Sequence, residues 1–214
     1  MSEPPVRLGP DGPDAHPRKT GQNRLDLALA LSAIFISGVS LYVAIEHGKT
    51  ERDLVAANSW PFVRETLSNV YGPDQSLAFG LSNGGVGPAK VKTFEVFYRG
   101  APVTSGVGLL QLCCGLASDP AGIKKQLGGS FLTSTAEDQV LRPGEDNPVV
   151  QLRRDVPDRA LVPTFNQTLR QLTFRACYCS VFDECWVTNL TSTNVTPVKA
   201  CPAPKVRFNP NGGR

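Results

Sequence analysis

Histidine is nearly absent from this chain. It occurs twice, at His16 and His47, and never beyond residue 58. A Ser-His-Asp or Cys-His nucleophile takes an imidazole as its base, since few other side chains titrate near neutral pH. A histidine-ligated zinc or copper centre takes the same ring. Neither can be assembled from the long C-terminal part of the sequence. A Lys or carboxylate base is the route left to an enzyme. No motif supports one, so the expectation is a non-enzymatic protein.

Other absences narrow the field. Charged residues make up 19% of the chain and the net charge is +3, so no partner is implied by charge alone. Lys124-Lys125 and Arg153-Arg154 are the only adjacent basic pairs in the main body. No basic run reaches the five to eight residues of a nucleic-acid patch, and nucleic acid is not an expected partner. The glycine cluster "NGGVGP", Asn83 to Pro88, matches neither G-x-x-x-x-G-K-[ST] nor G-x-G-x-x-G. It leads into a strand, so it reads as a hairpin turn and not a phosphate loop. There is no C-x-x-C and no internal repeat. No cofactor is expected.

What is present begins with a long apolar run. Residues 1–24, "MSEPPVRLGPDGPDAHPRKTGQNR", are rich in proline, glycine and mixed charge and read as a disordered tail. From Leu27 to Ile45 there is no charge. As a helix those residues span about 28 Å, close to the ~30 Å hydrocarbon core of a bilayer. The run is longer than a signal-peptide core, and the nearest small-x-small site, Val55-Ala56-Ala57, lies beyond charged residues. The expectation is a transmembrane helix over 25–46, which makes the lipid bilayer a partner. Arg18, Lys19 and Arg24 precede it and Lys49 and Arg52 follow. That bias favours a cytoplasmic N-terminus and an extracytoplasmic, periplasmic C-terminal part in the cell membrane. Ala30, Ala33, Ser37, Ser40 and Ala44 fall on one helical stripe, a candidate helix-packing face for a homo-oligomer.

Residues 47–58 read as a membrane-proximal helical linker, ended by Trp60-Pro61. From 59 to 200 the chain reads as strands. "SLAFGLSN" puts Leu77, Phe79 and Leu81 on one face, and "AKVKTFEVFYRG" returns after the NGGVGP turn. "SDPAGIKKQLGG" is the one helical stretch expected there, with Ser118 as cap, Pro120 in the first turn and Gly128 as stop. Residues 201–214 read as a C-terminal tail. The fold class is mainly β: an antiparallel β-sandwich, Ig-like, preceded by one transmembrane α-helix.

The six cysteines are Cys113, Cys114, Cys177, Cys179, Cys185 and Cys201. An even number in an exported domain reads first as a disulfide framework. Pairing Cys179 with Cys185 across a hairpin puts Tyr178 opposite Trp186 on the apolar face, so register and bond support each other. Cys113 and Cys114 would face opposite ways on a strand and take different partners among Cys177 and Cys201. The alternative is a metal site (copper or zinc) or a thiol-redox site at Cys177, Cys179, Cys185 and Cys201. The paired C-x₂₋₄-C knuckles of zinc sites are missing, but C-C and C-x-C can bind soft metals such as Cu(I).

The stretch "ALALSAIFISGVSLYVAIEHGKTERDLVAANSWPF", Ala28 to Phe62, together with the N-G-G-x-G-P-A turn at Asn83 to Ala89, resembles small uncharacterised bacterial single-pass membrane proteins. They have a short N-terminal tail, one anchor and a β-rich extracytoplasmic domain. The resemblance implies bacterial origin and this topology, and it carries no catalytic residues. The implied role is an interaction or scaffold protein of the cell envelope, with a homo-oligomer or an envelope protein as partner.

Overall fold

The computed structural model describes residues 23–210. Expectations for the tail before residue 23 and for the last four residues lie outside that range. The chain divides into two compact units, Met1–Arg52 and Asp53–Arg214.

One helix, α1, runs unbroken over Asn23–Asn58. The helix continues without a break through 47–58, the stretch read from sequence as a helical linker. Gly48 lies inside the helix with nothing within 4 Å of a Cβ placed on it. The large apolar side chains of α1 are exposed, among them Phe35 and Tyr42. It is long and apolar enough to cross a membrane. The helix ends before Trp60-Pro61, where proline disfavours a helical residue ahead of it.

The second unit is mainly β, with two antiparallel sheets. The first has the order β1-β2-β7-β5, from Val63–Tyr71, Ser76–Asn83, Asp146–Leu152 and Phe131–Thr133. The second has the order β10-β9-β8-β3-β4, from Thr196–Val198, Cys185–Thr188, Leu172–Cys179, Ala89–Tyr98 and Ala101–Val103; β6 (Gln139–Leu141) also pairs with β3. The sheets meet through aromatic rings. Phe79 of β2 lies 5.7 Å from Phe174 of β8, which stacks on Phe94 of β3 at 5.8 Å. Phe208 closes the cluster at 6.1 Å from Phe79 and 6.0 Å from Phe94.

Three features depart from the sequence reading. First, β2 does not alternate: all eight residues are buried. One face meets the second sheet, and helix α4 (Leu161–Leu169) packs on the strand. At Gly80 the partner strand bulges in, and a Cβ there would lie 2.1 Å from the Asn147 carbonyl oxygen. Second, beyond α1 the described residues of the unit form three helices and not one. Alongside α3 (Pro120–Leu127) there are α2 (Gly106–Cys114) and α4. The α3 cap is Asp119, whose carboxylate accepts from the Gly122 amide at 2.7 Å, and not Ser118. Third, the chain from Cys201 to Pro210 belongs to the domain. Phe208 is buried, and Glu95 Oε1, itself buried, accepts from the Lys205 and Val206 amides at 2.9 and 3.5 Å.

The two motifs singled out by sequence, "SWPF" and "NGGVGP", pack on each other. Asn83 is fully buried and every polar position of its side chain is used. Its Oδ1 accepts from the Phe62 and Gly85 amides at 3.2 and 3.0 Å. Its Nδ2 donates to the Gly87 and Leu141 carbonyls at 2.8 and 3.0 Å. The glycines let the backbones approach: a Cβ on Gly87 would stand 1.9 Å from the Ser59 carbonyl oxygen, and one on Gly85 2.4 Å from the Phe62 nitrogen. Asn83, Gly85 and Gly87 are therefore architecture, held in place by the chain they pack against.

Candidate functional site

The hairpin of β8 and β9 positions the sulfurs. Alternation along β8 sends Phe174, Ala176 and Tyr178 to one face, and Arg175, Cys177 and Cys179 to the other. The first set joins the aromatic core, where Tyr178 lies opposite Trp186 with ring centroids 5.7 Å apart. The second set forms a separate cluster of Cys177, Cys179 and Cys185 with Val187, Val198 and Cys201.

Cys179 is bonded to Cys185 (S–S 2.07 Å) and Cys177 to Cys201 (S–S 2.09 Å). The two bonds are neighbours: Cys179 Sγ lies 3.8 Å from Cys201 Sγ. The Sγ atoms of Cys179, Cys185 and Cys201 all lie within 4.8 Å of one another. The expected long-range bridges from Cys113 and Cys114 are not formed. Those two residues end α2 and are bonded to each other (S–S 1.97 Å). The expectation treated them as strand residues on opposite faces. On the last turn of a helix, followed by Gly115 with φ 75°, they are not so divided. Cys114 Sγ packs 4.0 Å from Thr168 Oγ1 of α4.

The hairpin tip runs Ser180 to Glu184. It closes with Asp183 in the left-handed region, φ 63°, and with the Ser180 amide donating to the Glu184 carbonyl at 2.8 Å. Lys90 of β3 reaches across to Asp183 Oδ1 at 2.5 Å. That hydrogen bond, and then the ammonium charge, hold the Asp183 carboxyl below the usual carboxylate range. Val181 and Phe182 are left exposed, 45% and 54%.

An open groove of about 520 Å³ lies over the cluster. Cys179, Cys185 and Cys201 line it together with Lys92, Lys199 and Arg207, and Cys177 does not. Arg207 is paired with Glu137 Oε2 at 3.0 Å. Glu137 in turn accepts from the Phe94 amide at 3.1 Å, so this acid is a structural anchor. A second groove, about 580 Å³, is lined by Arg175, Thr173, Thr188, Asn189 and neighbours on the same sheet.

Zinc and copper(I) are bound by thiolates, and a sulfur bonded to another sulfur is not one. In this form Cys177, Cys179, Cys185 and Cys201 do not fit a metal; what they can do chemically is exchange bonds. Ala30, Ala33, Ser37, Ser40 and Ala44 lie on α1 and are exposed. Ser37 Oγ donates to the Ala33 carbonyl at 2.7 Å, which leaves that position small and internally satisfied.

Sequence reasoning missed the vicinal bond, the buried Glu95 and the basic rim of the groove. The spacing of Leu109, Leu110, Cys113 and Cys114 was the available sign of a helix at α2. No comparable sign marks Lys92, Lys199 and Arg207, which converge only in three dimensions. No family model matches this chain, and no curated protein and no solved structure is found to be similar to it.

Proposed function

We propose that this chain is a single-pass membrane protein of the bacterial envelope whose β domain, held outside the cytoplasm, binds a protein partner without catalysing a reaction. Residues 25–46 cross the bilayer in this reading, with the N-terminus in the cytoplasm. The apolar helix supports anchoring, and the Lys/Arg bias supports the orientation. Six cysteines paired in three bonds support an oxidising compartment.

The domain is read as an Ig-like sandwich on its strand order. The order β1-β2-β7-β5 corresponds to A-B-E-D, and β9-β8-β3 corresponds to G-F-C. The β8–β9 turn is then the F–G loop, a position that carries binding residues in variable domains. The observation that carries the proposal is this turn: two exposed apolar residues, Val181 and Phe182, on a tip fixed by the Cys179–Cys185 bond and the Lys90–Asp183 pair. A tip ordered before binding loses little entropy on docking.

The test is affinity capture from native membranes with the full chain and with V181S/F182S. The proposal expects a partner, a second copy included, that is retained by the native chain and lost with the double variant. Recovery of no partner and no second copy would contradict it.

A further inference from the structure

The four sulfurs under the basic groove do more than two separate staples could. We propose that they form a thiol–disulfide exchange site whose substrate is a small anionic thiol. The inference stands apart from partner binding at the hairpin tip.

Three observations carry it. The first is adjacency: a thiolate on Cys179 would already be 3.8 Å from the sulfur of a second disulfide. The second is access. Cys179, Cys185 and Cys201 line the groove, whereas Cys177 is 1% exposed and lies behind them. The third is charge. Three cations, Lys92, Lys199 and Arg207, line the groove with one acid, Asp183; Arg207 is paired with Glu137 and Asp183 with Lys90, which leaves Lys92 and Lys199 to favour a thiolate and attract an anionic thiol. A volume of about 520 Å³ suits a small molecule, within the ~300–1,000 Å³ typical of such sites.

The exchange runs in two displacements. The incoming thiolate attacks Cys185 Sγ. A bond forms between the small thiol and Cys185, the Cys179–Cys185 bond breaks, and Cys179 leaves as a thiolate. Cys179 then attacks Cys201 Sγ. The Cys179–Cys201 bond forms, the Cys177–Cys201 bond breaks, and Cys177 leaves as a thiolate and takes up one proton. One thiol enters and one thiol remains, so no electrons are gained or lost overall. Attack at Cys201 would release Cys177 and attack at Cys179 would release Cys185; attack at Cys185 is the one that frees Cys179, the sulfur already 3.8 Å from Cys201, for the second displacement.

The test uses the full chain in detergent with reduced glutathione as the probe. After alkylation, cleavage following Tyr178 and Phe182 separates Cys177, Cys179 and Cys185 for non-reducing peptide mapping. The expected product has glutathione on Cys185, a Cys179–Cys201 link and an alkylated Cys177. Native pairs alone, or glutathione on Cys201 with no Cys179–Cys201 link, would overturn the proposal. In C185A, alkylation is expected to be shared between Cys177 and Cys179, and alkylation confined to Cys179 would count equally against it. K92Q/K199Q is expected to slow the reaction with glutathione by about three-fold or more while sparing that with neutral 2-mercaptoethanol. An equal effect on both thiols would remove the electrostatic part.

Discussion

Ser59 and Gly87 touch backbone to backbone, so closely that a Cβ on Gly87 would stand 1.9 Å from the Ser59 carbonyl oxygen. The Gly87 amide also donates to the Trp60 carbonyl at 3.1 Å. The contact joins the segment that follows the apolar helix to the turn between β2 and β3. It can be tested one residue at a time.

Gly87→Ala has no room, because the obstacle is backbone on both sides. The expected cost is about 3 kcal/mol or more, from forced backbone movement in a packed site. Gly84→Ala, in the same turn, is the internal control. Its nearest neighbour would be a Phe62 side-chain atom at 3.7 Å, so its effect should stay within about 0.5 kcal/mol. Urea unfolding of the two variants in one buffer checks both values.

Asn83→Ala removes four hydrogen bonds at once and leaves the Phe62 and Gly85 amides and the Gly87 and Leu141 carbonyls without their partner. Unsatisfied buried groups cost about 1–3 kcal/mol each, less where water enters. A loss of about 3 kcal/mol is expected, with an unchanged urea m-value. A loss below 1 kcal/mol would mean that the side chain is not the organiser of the turn.

The three disulfides should not be equal. In the chain-entropy description, the Cys177–Cys201 loop contributes about 3.5 kcal/mol and the Cys179–Cys185 loop about 2.4. The Cys113–Cys114 bond closes almost no loop, so C113A/C114A should change the midpoint of thermal unfolding least, and C177A/C201A most. The order of the three midpoints is the readout.

Among the described residues, Glu65 Oε2 is buried without a hydrogen-bond partner. Burial raises the Glu65 pKa above its ordinary 4.5. The sign follows: the folded state holds this proton more tightly than the unfolded chain. Stability is therefore highest below pH 4.5 as far as this group is concerned, and falls as pH rises toward the raised value. Glu65→Gln should abolish that decline and raise the neutral-pH Tm by no more than about 2–4 °C. Thermal scans from pH 4 to 8 check it.

The sequence was most readable where period and covalent chemistry agreed. In β8 and β9, the alternation of Phe174, Ala176 and Tyr178 and the spacing of Cys179 and Cys185 specify one hairpin register. It failed where local signals conflicted. α2 holds two glycines and two adjacent cysteines, which read as strand or turn; the Ser105 cap and the burial of Leu109 and Leu110 make it a helix. That error carried over to the pairing of Cys113 and Cys114. α4 was missed for a related reason: Pro163 hides the spacing of Leu161, Phe165 and Leu169, yet it sits in the first turn, where proline is tolerated. The groove was unreadable because Lys92, Lys199 and Arg207 come from β3 and the segment after β10 and share no local pattern.

The central claim is a membrane-anchored domain held on an oxidising side. It is tested most directly by the thiol state of the full chain taken from its native membrane. The protein is alkylated in denaturant without reductant and its intact mass is read. The account predicts a mass with no alkyl group added, all six cysteines being paired. A mass with six alkyl groups would contradict it, placing the domain on a reducing side with none of its disulfides formed.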